Sequence, residues 1–198
     1  MVWVLPLLVA AMDASGADAL RIGVFLQGPE SASEETLGVM RGEVERLIVR
    51  PGMELVWRES VTGLETFDRV LVIRLKGECS ARLPERWTVP STLGSTHISN
   101  GRVQPFIDIA CEHVAAAASR QWLWPGGRIA PDVYGRALAR VAAHEIIHAL
   151  TESPEHDSEG LMKPAFDRLD LCFRKLELMP TSLARLERAL GLAAKPAD

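Results

Sequence analysis

His144-Glu145-Ile146-Ile147-His148-Ala149-Leu150-Thr151-Glu152-Ser153-Pro154-Glu155-His156-Asp157-Ser158-Glu159-Gly160-Leu161-Met162 is the stretch whose reading decides the rest of the chain. On a helix, His144 and His148 lie one turn apart on a single face. Two imidazoles can then reach one metal ion while Glu145 stands beside it, which is the HExxH spacing. A catalytic zinc takes neutral imidazole nitrogens at about 2.0–2.1 Å, uses three protein ligands and keeps one position for water. A third ligand is therefore required, and His156 is the nearest imidazole downstream. Ser153 and Pro154, lying between, are residue types that reverse a chain.

This stretch resembles the metzincin metallopeptidases, in which an HExxH helix ends at a glycine, a third His follows, and a Met-containing turn lies beneath the metal. Gly160-Leu161-Met162 is similar to that Met-turn, and Met162 stands 18 positions after His144, the interval of matrixin-type members. Two positions depart from the pattern. Thr151 replaces the family's glycine, and Pro154 occupies the place of its third His, with His156 two residues later. A β-branched Thr tolerates positive φ poorly, so the helix has to leave by another route. The longer spacing, followed by Gly160-Leu161-Met162-Lys163, is also similar to short bacterial exported proteins. The resemblance covers about a tenth of the chain. It implies one zinc ion held by His144, His148 and His156, a Met162 floor, and Glu145 as general base for hydrolysis of a peptide or protein substrate. A carboxylate ligand such as Asp167 or Asp170 is an alternative to His156. A catalytically inactive, zinc-stabilised exported binding protein is the alternative to an enzyme, and a fourth protein ligand from Asp157, Glu159 or His97 would favour it.

Upstream, Pro131-Asp132 opens the metal helix, with Val133, Leu138, Val141, Ile146, Ile147 and Leu150 as apolar faces and Gly135 as a tolerated weakness. Tyr134 lies ten residues before His144, about 15 Å along the axis, too far to act at the metal. Towards the N-terminus, Leu20–Leu26 reads as a strand. A helix starting near Ser31 or Ser33 follows, carrying Leu37, Met40, Val44, Leu47 and Ile48 at helical spacing up to Pro51-Gly52. Glu54–Trp57 and Arg69–Leu75 read as two more strands. Thr96–Ser99 and Arg102–Ile109 flank Asn100-Gly101, a signal for a type I′ hairpin. By analogy with the resembled family, part of 93–109 would pair with extended substrate, against the plainer reading of a structural hairpin. His97 and His113 read as surface or hydrogen-bonded residues.

Cys111–Ser119 reads as an Ala-rich helix, and Trp122 and Trp124 belong to a loop that either lines a cleft or plugs a satellite core. After Met162, Phe166, Leu169, Leu171 and Phe173 should return the chain to the core. Pro180-Thr181 then opens a last helix with Leu183, Leu186, Leu190 and Leu192 on one side. The order implies an α/β (α+β) domain. A twisted mixed sheet packs on an N-terminal helix and the HExxH helix, and a small C-terminal part contains the Met-turn and the last helix.

The 198 residues are 47% apolar, which suits one domain with a full core. With 22 basic and 26 acidic side chains, a net charge of −4 and no basic stripe, a nucleic-acid partner is not expected. Val2–Met12 suits the apolar region of a signal peptide, although no basic residue precedes Arg21. Removal of 1–19 would leave a domain over 20–192, a disordered tail over 193–198, a secreted or periplasmic location, no stable membrane insertion and a monomer. Export permits a disulfide among Cys79, Cys111 and Cys172; Cys79 with Cys111 is the preferred pair, with buried thiols the alternative.

Overall fold

The computed structural model describes residues 19–28, 31–60, 63–82, 92–119 and 127–192. Trp122, Trp124, all but the last residue of the expected signal segment, and the tail over 193–198 lie outside them. Among the described residues five strands form one sheet: β1 (Leu20–Gln27), β2 (Met53–Arg58), β3 (Arg69–Lys76), β4 (Gly94–Ser99) and β5 (Arg102–Ala110), in the order β2-β1-β3-β5-β4. The first four in that order run parallel, and β4 is an antiparallel edge strand. The β4–β5 turn places Asn100 and Gly101 both at positive φ, 51° and 72°, as a type I′ connection requires.

Among the described residues five helices accompany the sheet: α1 (Glu34–Ile48), α2 (Cys111–Ser119), α3 (Pro131–Thr151), the short α4 (Arg168–Cys172) and α5 (Pro180–Leu190). Ser33 caps α1, its hydroxyl accepting from the Thr36 amide at 3.2 Å. The inward side chains of β1, β3 and β5, among them Ile22, Val24, Leu71, Ile73, Ile107 and Ile109, share one core with Met40, Val44 and Leu47 of α1 and Leu138, Ile146 and Ile147 of α3. Among the described residues no helix is long and apolar enough to cross a membrane.

Two details differ from the sequence expectation. Gly135 is not a tolerated weakness but a packing requirement: a Cβ there would lie 2.6 Å from the Thr36 carbonyl oxygen and 2.9 Å from Val39 Cβ, because α1 crosses α3 at that point. Leu169 and Phe173 do not enter the core and are 45% and 55% exposed. The chain forms α4 there, a short helix whose inward residues are Asp170, Leu171 and Cys172. Phe173 instead carries the Arg168 guanidinium 4.9 Å above its ring.

α3 is tied to its neighbours by polar links as well. Tyr134, fully buried, donates its hydroxyl to the Cys111 carbonyl at 3.0 Å. Cys111 is itself disulfide-bonded to Cys79, 32 residues earlier, while Cys172 is a buried free thiol. A bridge closing a loop of that length contributes about 3–4 kcal/mol in the chain-entropy account. Arg140, 3% exposed, bonds Glu43 of α1 at 3.0 Å and the Asp170 carbonyl of α4. Burial pushes the Glu43 carboxyl up, but hydrogen bonds from Arg46 and Arg140 outweigh it and hold the group below its ordinary range.

Two stability measurements follow. Gly135→Ala should lower the melting temperature by several degrees, since overpacking of about 1–3 kcal/mol outweighs the better helix propensity of Ala. Glu43→Gln should destabilise the metal-free protein at pH 7 by on the order of 2–4 kcal/mol in denaturant titrations, because it leaves the Arg140 charge buried without its counter-ion. A carboxylate depressed in the folded state stabilises above its unfolded pKa, and this is lost as pH falls through the folded value. The gap between parent and variant should therefore close as the pH falls below about 4.5.

Candidate metal centre

The site is built on the C-terminal half of α3, where 8% of His144, 8% of Glu145 and 9% of His148 is exposed. The helix passes through Thr151, whose hydroxyl bonds back to the Ile147 carbonyl at 2.7 Å, and ends at Glu152, which takes the left-handed conformation with φ 48°. The left-handed residue thus falls one place after Thr151. A non-glycine residue holding this conformation costs about 1 kcal/mol, and here it turns the chain back over the helix. The reversal aims the Ser153 carbonyl at His148 Nδ1, 2.6 Å away, and carries His156 round to face the helix.

A second backbone turn secures the other helix ligand. Gly160 has φ 74° and no room for a side chain, since a Cβ would lie 2.6 Å from the Glu177 carbonyl oxygen. Leu161 donates its amide to that carbonyl at 2.8 Å, and its own carbonyl lies 2.9 Å from His144 Nδ1. Met162 is fully buried, and its carbonyl accepts from the Asp157 amide at 2.8 Å. The loop between His156 and Met162 is closed by that bond.

Carbonyl oxygens only accept, so the Nδ1 atoms of His144 and His148 carry the protons and their Nε2 lone pairs remain available. His148 Nε2 lies 3.0 Å from His144 Nε2 and 3.3 Å from His156 Nε2, and all three ligand atoms lie within 4.8 Å of one another. Two nitrogens bound tetrahedrally at about 2.0–2.1 Å would be about 3.3 Å apart. Burial holds the His144 imidazole down at about 4, so its neutral, ligating form prevails near neutrality. Three imidazole donors converging in this way fit a divalent transition-metal ion. Among the described residues no His, Cys, Asp or Glu other than these three joins the group.

Four of the other candidates, His97, His113, Asp167 and Asp170, are engaged elsewhere. His97 Nε2 lies 2.9 Å from Asp108 Oδ2, and Asp108 also bonds Arg74 at 2.6 Å. His113 Nδ1 lies 2.8 Å from the Thr92 carbonyl. Asp167 caps α4, and Asp170, 2% exposed, pairs with Lys163 and Arg174. Neither carboxylate belongs to the imidazole group.

Glu145 stands beside the three imidazoles without joining them. Thr96 of the edge strand donates its hydroxyl to Glu145 Oε2 at 2.8 Å, with the Glu145 carbonyl also within reach at 3.0 Å. Burial raises the Glu145 carboxyl above its ordinary range, the Thr96 hydrogen bond offsetting part of the effect. The first residue of β4 is pressed onto the same helix turn: a Cβ on Gly94 would lie 2.7 Å from Val141 Cγ1 and 2.9 Å from Glu145 Cγ. A cleft of roughly 540 Å³ opens over the three His and Glu145, bounded by Leu93–Ser95 on one side and Lys163–Arg168 on the other. Phe166 forms part of this wall, its ring edge-on to His144 at 5.5 Å.

Thr96 and Phe166 are site residues that the sequence reading missed. Thr96 is 49 positions from Glu145, and only pairing of β4 at the sheet edge brings it over α3. Phe166 packs against the core, as its apolar character implies, and its place four residues after Met162 is the one signal that also ties it to the site. No protein-family model matches this chain, and no curated protein matches it either, so the site rests on its own geometry.

Elemental analysis checks the ligand set. The purified protein should carry about one divalent metal ion per chain, and His156→Ala should lose most of it while retaining its far-ultraviolet circular dichroism. Parent-like metal content in that variant would remove His156 from the set.

Proposed function

We propose that this chain is a zinc-dependent metallopeptidase, exported, that hydrolyses peptide bonds with Glu145 as the general base. The observation that carries the reading is a buried carboxylate next to the first imidazole of a three-His group but outside it, on the wall of an open cleft. A site meant only to hold structure would more often be closed by four protein donors. A fourth donor is lacking among the described residues, which favours an enzyme over the inactive binding protein.

Zinc in such a set supplies Lewis acidity, polarising a carbonyl and bringing the pKa of water towards 7. Glu145 takes the proton from the attacking water and returns it to the nitrogen of the leaving amine, so that one carboxyl acts first as base and then as acid. A raised pKa suits both halves of that task. Thr96 holds one carboxylate oxygen in place, and the exposed edge of β4 offers backbone groups with which an extended substrate can pair. The Leu161 and Ser153 carbonyls keep the two helix imidazoles in the ligating tautomer and orientation.

Glu145→Gln keeps the shape of the side chain and removes its basicity. In the zinc-loaded variant kcat/KM for a cleaved peptide should fall by about 10²–10⁴ with zinc content unchanged. Cleavage at the parent rate would dismiss Glu145 as the base.

A further inference from the structure

A second, smaller cavity of about 160 Å³ lies on the other side of the same three residues Glu145, His148 and His156. The main cleft is bounded by the start of β4, at Leu93, Gly94 and Ser95; the smaller one is bounded by its end, at Thr96 and Ile98, with Val103 of β5 and Ser153 and Pro154 of the reversal after α3. The two therefore flank the imidazole group along the edge strand. Ile98 and Val103 are paired across the β4–β5 ladder. Ile98 is 64% exposed, a large apolar side chain that the fold leaves uncovered, and Pro154 is exposed as well.

We infer that this cavity is a specificity subsite that takes an aliphatic side chain of the substrate, of the size of Leu, Ile, Val or Met, on one side of the scissile bond. The inference rests on the peptidase reading and adds to it the kind of sequence cut. An extended chain laid along β4 turns alternate side chains to the same face about 6–7 Å apart, so a peptide whose reacting carbonyl lies over the His group presents neighbouring side chains to the cavities on either side. An apolar cavity of about 150 Å³ can hold a benzene ring, so this one has room for a branched aliphatic group. The lining selects against charge. Ile98, Val103 and Pro154 offer no hydrogen bonds from their side chains, and the Glu145 carboxylate at the edge repels an acidic occupant. A basic occupant would pair with Glu145 and take the base out of use.

The test is cleavage of a mixed peptide library by the zinc-loaded parent, Ile98→Asp and Ile98→Leu, with cut sites mapped by mass spectrometry. Ile98 is exposed near a hairpin turn, so both variants should fold, and neither alters the His group or Glu145. The parent should prefer aliphatic residues at one position flanking the cut. Ile98→Asp should weaken that preference by about 10-fold in relative kcat/KM, the scale set by apolar contacts in a pocket, and leave selection on the other side unchanged. Ile98→Leu should retain it. Cleavage with no aliphatic preference, or with one that Ile98→Asp does not change, would overturn the subsite and leave the peptidase standing. No cleavage of any library member by the zinc-loaded parent would overturn the peptidase reading and the subsite with it.

Discussion

Three imidazole lone pairs aimed at one point are mutually repulsive unless a cation or a shared proton lies between them, and the fold enforces this convergence from three separate directions. His144 is turned by the Leu161 carbonyl, His148 by the Ser153 carbonyl, and His156 arrives on the chain that reverses after α3. Each orienting group is a backbone oxygen whose place is set by a residue at positive φ. Glu152 precedes Ser153, and Gly160 precedes Leu161. Those two left-handed residues therefore position the donor set as directly as the histidines do.

The helix that carries the site is also the centre of the core. α3 packs against α1 closely enough at Gly135 to exclude a methyl group, lies beneath β4 closely enough at Gly94 to do the same, and is anchored by the buried Arg140 and Tyr134. Imidazoles on such an element would lose little further conformational entropy on binding an ion, since their backbone and most of their side-chain freedom is already frozen by packing. The disulfide reaches the same helix at one remove, because the Cys111 carbonyl receives the Tyr134 hydroxyl.

The edge strand joins the scaffold to the chemistry we propose. An antiparallel β4 forms the edge of an otherwise parallel sheet among the described residues, and Thr96 on that strand holds Glu145. A broad cleft lies at the start of the same strand and a small apolar one at its end. A substrate of the kind we propose would meet Glu145, the three imidazoles and two different side-chain environments along the strand.

Much of this was legible in residue order because the signals are local. The i, i+4 spacing of His144 and His148 places both on one helix face whatever surrounds them, Asn100-Gly101 specifies its turn by steric preference, and the apolar run of β3 marks a central strand, although only its alternate residues Leu71, Ile73 and Leu75 are buried. Thr151 likewise announced that the helix would not leave through a left-handed residue at that position, because a β-branched side chain resists positive φ. Other features depended on contacts between distant segments. No local rule places Thr96 on Glu145, turns Phe166 to the site while Leu169 and Phe173 face solvent, or makes Gly135 indispensable. Each depends on which element crosses which, and that is decided when the sheet, α1 and α3 close around one core. The choice of His156 over Asp167 or Asp170 is of the same kind: the chain order offers all three, and only the packed α4, which uses both carboxylates for its own cap and ion pairs, leaves the imidazole to complete the site.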